Sequence, residues 1–183
     1  MSRTVKGALF ALIAMVVFCL PSSAQSLLPG PTVVVFGGAP FSGSLTDVPN
    51  NVIHSHWTAG AAVDLPLFGP LAFEPNVAAT RLTLPSSSTS ASTMRTMTTG
   101  DLNLKLSVPL NPFFIHPYVI GGLGVAHIAG IATKPTADIG VGAAISLGGG
   151  LQLRPEIRFG HTLFATQTIP RLNRFTIGIG YTF

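Results

Sequence analysis

In the stretch Leu153-Arg154-Pro155-Glu156-Ile157-Arg158-Phe159, two guanidinium side chains flank a carboxylate at a spacing of two, with apolar residues or proline between them. On an extended chain successive side chains point to opposite faces, so Arg154, Glu156 and Arg158 share one face. Such a triplet can serve as an ion-pair network or as a gate or solute site. Asp64, Glu74, Asp101, Lys105 and Asp138 recur in the same manner, each on the face opposite a row of apolar residues. A basic residue turned toward hydrocarbon would cost about 2–4 kcal/mol at a bilayer midplane. Segregation of the charges is therefore what folding demands, and a structural network is the expected role of these eight residues.

Other chemistry is weaker. His54 and His56 lie one residue apart, which puts two imidazoles on one strand face and makes them a weak candidate metal pair. Nothing else in the sequence supplies ligands, so neither a metal nor a cofactor is expected. Gly122-Leu123-Gly124 and Gly140-Val141-Gly142 do not complete a phosphate-binding fingerprint and do not open a helix. The formal net charge of +4 carries no basic cluster, which speaks against a nucleic-acid partner.

The elements that must position these side chains are strands. Charged residues make up only 9% of the 183-residue chain, against about 25% in ordinary soluble domains. The long uninterrupted apolar run lies near the amino terminus, so a membrane reading must rest on strands rather than helices. Residues 1–24 have the form of a secretory signal: Arg3 and Lys6, an apolar stretch from Ala8 to Leu20, and Ser22-Ser23-Ala24 as a cleavage site. Residues 25–183 are then the exported domain. The one cysteine, Cys19, lies inside that apolar stretch, and Phe18 before it argues against a lipoprotein signal.

Period-two alternation marks the strands. It is strictest in Arg174 to Phe183, where Phe175, Ile177, Ile179, Tyr181 and Phe183 oppose Thr176, Gly178, Gly180 and Thr182. Clear alternation also covers His54–Leu65, Arg95–Val108, Asp138–Leu147 and Leu151–Phe164. Thr32–Ser42 is Val-rich with blurred phase, Leu71–Leu84 slips in phase near Arg81 and so predicts a bulge, and Ile115–Ala129 has no assignable facing. Pro155 predicts a second bulge, because a proline removes one ladder hydrogen bond. Ala132–Thr136, with Lys134-Pro135, reads as a loop. Connections after the second, fourth and sixth strands are short, and those after the first, third, fifth and seventh are longer, as in barrels with periplasmic turns and four outer loops.

The carboxy-terminal alternation resembles the assembly signal of bacterial outer-membrane barrels. Together with Pro117-Tyr118-Val119-Ile120-Gly121-Gly122-Leu123-Gly124 and the Leu153–Phe159 stretch, it makes the chain similar to the small outer-membrane β-barrel family, the OmpA/OmpX-like class. The resemblance implies an all-β fold, an eight-stranded antiparallel transmembrane β-barrel in a bacterial outer membrane. It also implies outer-membrane lipid, periplasmic chaperones and the barrel assembly machinery as partners, a monomer, and an unidentified extracellular ligand. The expected role is structural or surface-interacting, with a lumen filled by side chains. A small-solute or ligand-binding channel and a lipid-modifying enzyme are the alternatives. For the enzyme, His161 is followed by Thr162 instead of the His-x-Ser-Asn setting of outer-membrane lipid deacylases, so no catalytic residue is assigned.

Overall fold

The computed structural model describes residues 30–42, 54–84, 93–108, 114–130, 132–163 and 173–183. The expected signal segment, residues 1–24, lies outside the described residues, as does the Ser/Thr-rich stretch 85–92. Eight strands follow in chain order: β1 (Thr32–Ser42), β2 (His54–Phe68), β3 (Leu71–Leu84), β4 (Thr93–Ser107), β5 (Ile115–Ile128), β6 (Ala132–Gly148), β7 (Leu151–Thr162) and β8 (Asn173–Thr182). Each pairs antiparallel with its sequence neighbours, and β1 pairs with β8, which closes the barrel. The closing register runs from Thr32↔Thr182 through Val35↔Ile179 to Ala39↔Phe175. Closure leaves no free sheet edge, the condition for crossing a bilayer with strands.

The two faces differ as the alternation requires. Outward positions are apolar and uncovered: Leu102, Leu104 and Leu106 on β4 are 61%, 54% and 44% exposed, and Ile177, Ile179 and Tyr181 on β8 are comparably open. In water such rows would be an aggregation liability, whereas in lipid they form the contact surface. Inward positions are buried and mostly polar. At the end nearest the chain termini, tight turns rest on glycines with positive φ, namely Gly69 (φ 54°) and the Gly148-Gly149-Gly150 run (φ 89°, 61° and 83°). A side chain is disfavoured in that region, which is why glycine occupies it.

Several expectations are corrected. β3 keeps its phase: Glu74, Asn76, Ala78, Thr80 and Leu82 all point inward, and its register with β4 is unbroken from Leu71↔Leu106 to Leu84↔Thr93. The irregularity near Arg81 belongs to β2, where His56 and Trp57 together oppose Arg81 between the pairs Ser55↔Leu82 and Thr58↔Thr80. The expected slip rests on the apolar Leu82, which keeps the lumenal phase and is buried there. Pro155 causes no bulge either. The ladder to β6 passes from Gly142↔Glu156 to Ile145↔Leu153 with register intact, so a local break in pairing accommodates the missing donor. Pro75 sits at a similar break facing β2, between Ala62↔Asn76 and Leu65↔Phe73. Residues Ala132–Ala137 are strand rather than loop, because pairing with β5 continues to Ile128↔Ala132. The connection after β5 is consequently a tight turn at Gly130 (φ 76°), and not one of the longer loops.

Candidate functional site

The lumen is the place where chemistry is concentrated. Asp64 on β2, Glu74 on β3, Asp101 and Lys105 on β4, Asp138 on β6, and Arg154, Glu156 and Arg158 on β7 all point into it. Their spacing on the strands accounts for this, since each is an even number of residues from its inward neighbours. Arg154 and Arg158 stand two inward positions apart with Glu156 between them. Glu156 Oε1 accepts from Arg158 Nε at 2.5 Å, and Glu156 Oε2 accepts from the Tyr118 hydroxyl at 2.9 Å.

The same two arginines also reach across the barrel. Glu74, fully buried on β3, accepts from Arg154 Nη2 at 2.7 Å through Oε2 and from Arg158 Nη2 at 2.6 Å through Oε1. In a ring of eight strands β3 and β7 stand opposite each other, so these bonds brace the full width of the lumen. Asp64 Oδ2 accepts from Lys105 Nζ and from Arg154 Nη1, the latter at 3.1 Å. Tyr118 lies beneath both cations, with Lys105 Nζ 5.3 Å and the Arg154 guanidinium 5.1 Å from its ring centroid. Gly142 makes room for that ring, since a Cβ there would meet Tyr118 Cζ at 2.5 Å.

A second group extends the network toward the outer end. Arg158 Nη1 donates to Asp138 Oδ2 at 3.4 Å, and Arg174 Nη2 pairs with Asp101 Oδ2 at 3.7 Å. The Asn76 amide links the two groups when its nitrogen faces Asp101 Oδ2 at 3.0 Å. Its oxygen then accepts from Asn103 Nδ2 and Arg158 Nη1, both at 2.8 Å. Above this layer lie Thr58, Thr80, Thr99 and Thr136, with Ala78 and Ala126 paired on either side of Thr99, and above them Leu82, Met97 and Ile128, all buried. The lumen is thus braced by ions in its middle and stoppered by apolar side chains at its outer end. A cavity of about 10 Å³ remains beside Glu74, Tyr118, Arg154, Glu156 and Arg158, room for about one water.

Three participants escaped the sequence reading. Arg174 is in phase with inward Thr176 and Gly178, and that parity could have found it. Tyr118 required the facing of β5, which alternation in a strand with apolar residues and glycine on both faces does not supply. Asn76 is in phase with Glu74 on β3, but its bridging amide depends on side chains from β4 and β7. Arg81 points outward, where its Nη1 donates to Thr96 Oγ1 at 3.1 Å.

The remaining candidates do not assemble a reactive centre among the described residues. His54 pairs with Thr83 in the ladder, and its side chain lies outside the described residues. His56 is exposed, with Nε2 2.8 Å from Thr83 Oγ1. No group of three or more His, Cys, Asp or Glu residues suited to a metal occurs among the described residues. His161 is exposed on the outer face and Thr162 points inward, so the barrel wall separates imidazole from hydroxyl.

A family model described as outer membrane protein beta-barrel domain matches residues 10–183. Among curated proteins no match is found. Solved structures of similar shape include the outer membrane protein OprG of Pseudomonas aeruginosa, with a TM-score of 0.61 at 10% identity over 88% of this chain and 99% of that one. Neisserial surface protein A gives 0.59 at 13% identity over 84% and 96%. The amino-terminal β-barrel domain of OprF, also of Pseudomonas aeruginosa, gives 0.53 at 13% identity over 85% and 98%. At these identities the likeness is one of fold.

Proposed function

From a chain that belongs to the outer membrane protein β-barrel domain family, and so resides in a bacterial outer membrane, we propose a passive role: a membrane-anchored platform with a filled lumen, acting in envelope structure or surface interaction. The observation that carries this reading is the pair of Arg–Glu braces across the full lumen, Arg154 and Arg158 to Glu74, beneath the stopper of Leu82, Met97 and Ile128. Opening a path for solute would mean breaking several buried, charge-assisted hydrogen bonds together, and removing one partner of such a pair typically costs about 3–5 kcal/mol. An eight-stranded barrel is also only wide enough for its own side chains.

In this role the apolar outer rows anchor the chain in lipid. The lumenal network fixes which strands face each other, and the surface interactions are assigned to the barrel end at which β1, β3 and β7 finish. Export through residues 1–24, with periplasmic chaperones and the barrel assembly machinery as transient partners, belongs to the same proposal. Planar bilayer recording tests it. The purified protein is expected to give no steady ion conductance above that of protein-free bilayers. Regular unitary steps that scale with salt concentration would replace the passive role by that of a small-solute channel.

A further inference from the structure

Every carboxylate side chain among the described residues points into the lumen, yet one guanidinium does not. Arg81 on β3 faces outward, and its polar contacts are neutral: the Thr96 hydroxyl at 3.1 Å and the Met94 sulfur at 3.7 Å. No carboxylate side chain among the described residues pairs with it. Its neighbours on the same outer face are polar as well. Thr98 lies on β4, His127 on β5 accepts or donates through Nδ1 to Thr133 Oγ1 at 2.7 Å, and Thr98 Oγ1 donates to the His127 carbonyl at 3.4 Å. Arg81 pairs with Thr96, and Thr98 with His127, so the residues form one continuous band across β3 to β6.

The height of this band decides what it meets. Arg81 is ten residues beyond Leu71, the first residue of β3, and His127 is twelve beyond Ile115, the first residue of β5, and both of these first residues face outward. At about 3.4 Å per residue and a tilt of about 40°, ten to twelve residues climb about 26–31 Å, enough to span the roughly 25 Å apolar belt of such barrels. The band therefore marks the far edge of the belt. The short turns lie at the periplasmic end of these barrels, so this edge is the headgroup level of the outer leaflet. A cation placed there on the membrane side, without a carboxylate counter-ion among the described residues, is complementary to an anion supplied by the lipid. A guanidinium flanked by hydroxyl donors fits a phosphate, which it can grip through two parallel N–H bonds.

We propose that Arg81, with Thr96, Thr98 and His127, forms a binding site for the phosphorylated headgroup of an outer-leaflet glycolipid. The single tryptophan, Trp57, is a built-in reporter, because it faces outward in the β2 bulge directly opposite Arg81. The experiment titrates the folded protein in detergent micelles with lipid A, which carries phosphate monoesters, and with dephosphorylated lipid A, following Trp57 fluorescence. The expected result is at least about tenfold tighter binding of the phosphorylated form, as a bidentate charged contact implies. Arg81→Gln is expected to remove that preference, Arg81→Lys to keep part of it, and Arg95→Gln, a nearby exposed cation, to keep all of it. Folding of each variant is checked by its heat-dependent gel mobility. Equal affinity of the two lipids for the wild-type protein overturns the proposal, and so does a preference that survives Arg81→Gln. Saturation of the signal by inorganic phosphate alone would assign the site to a soluble anion and overturn the lipid assignment.

Discussion

Glu74 carries a guanidinium on each of its carboxylate oxygens, at 2.6 and 2.7 Å, and is completely buried. Removing it leaves Arg154 and Arg158 short of one partner each on the far wall. Glu74→Ala is therefore expected to lower the unfolding free energy by about 3–5 kcal/mol, the range for breaking a buried pair on one side. Ser107→Ala, near the terminal end of β4, is expected to change it by less than about 0.5 kcal/mol. Urea unfolding in lipid vesicles measures both, and coincident midpoints would show that the network contributes nothing specific. At this scale the sequence was informative about direction and silent about partners. Alternation alone put Glu74 and Arg154 on an inward face. That the two meet across the lumen depends on the strand count and the register of the closed ring.

For β5, alternation could not assign a face. Ile120, Ala126 and Ile128 are inward while Val119, Leu123 and Val125 are outward, so apolarity marks neither side. What decides is size and context: inward Gly122 and Gly124 lie against Asn103 and Asp101, and inward Tyr118 lies over Gly142. Leu123, outward and near the middle of the strand, tests the assignment. Leu123→Arg is expected to cost about 2–4 kcal/mol of stability in a bilayer, read as a lower urea midpoint in vesicles. A neutral outcome would mean that the residue does not meet the hydrocarbon. The start of β6 failed as a sequence reading for a different reason. Lys134-Pro135 has loop chemistry, but pairing to β5 continues through Val125↔Pro135 and Ala126↔Lys134, whereas pairing to β7 ends at Thr136↔Thr162. The hairpin of β5 and β6 thus outruns its neighbour, and strand identity there is imposed by one partner.

Across the whole molecule, stability depends on closure, since every strand except β1 and β8 already has two neighbours adjacent in sequence. The folded chain is expected to migrate differently on a gel before and after heating, and a chain lacking Arg174–Phe183 is expected to migrate alike in both. Heat-dependent mobility in the truncated chain would show that the β1–β8 seam is not required for a compact barrel. The sequence by itself determined the class of structure: scarce charge, repeated period-two alternation and the aromatic carboxy-terminal strand admit an exported barrel with lipid outside and charges within. These are local properties, because the side-chain period of a strand sends alternate residues to different solvents wherever the strand ends up. Only the tertiary structure decided that Thr32 meets Thr182, that Arg154 and Arg158 span the lumen to Glu74, and that Arg81 alone among these charges turns to the outer rim. Those are facts of register and closure, set jointly by strands distant in the chain, and no single stretch of sequence contains them.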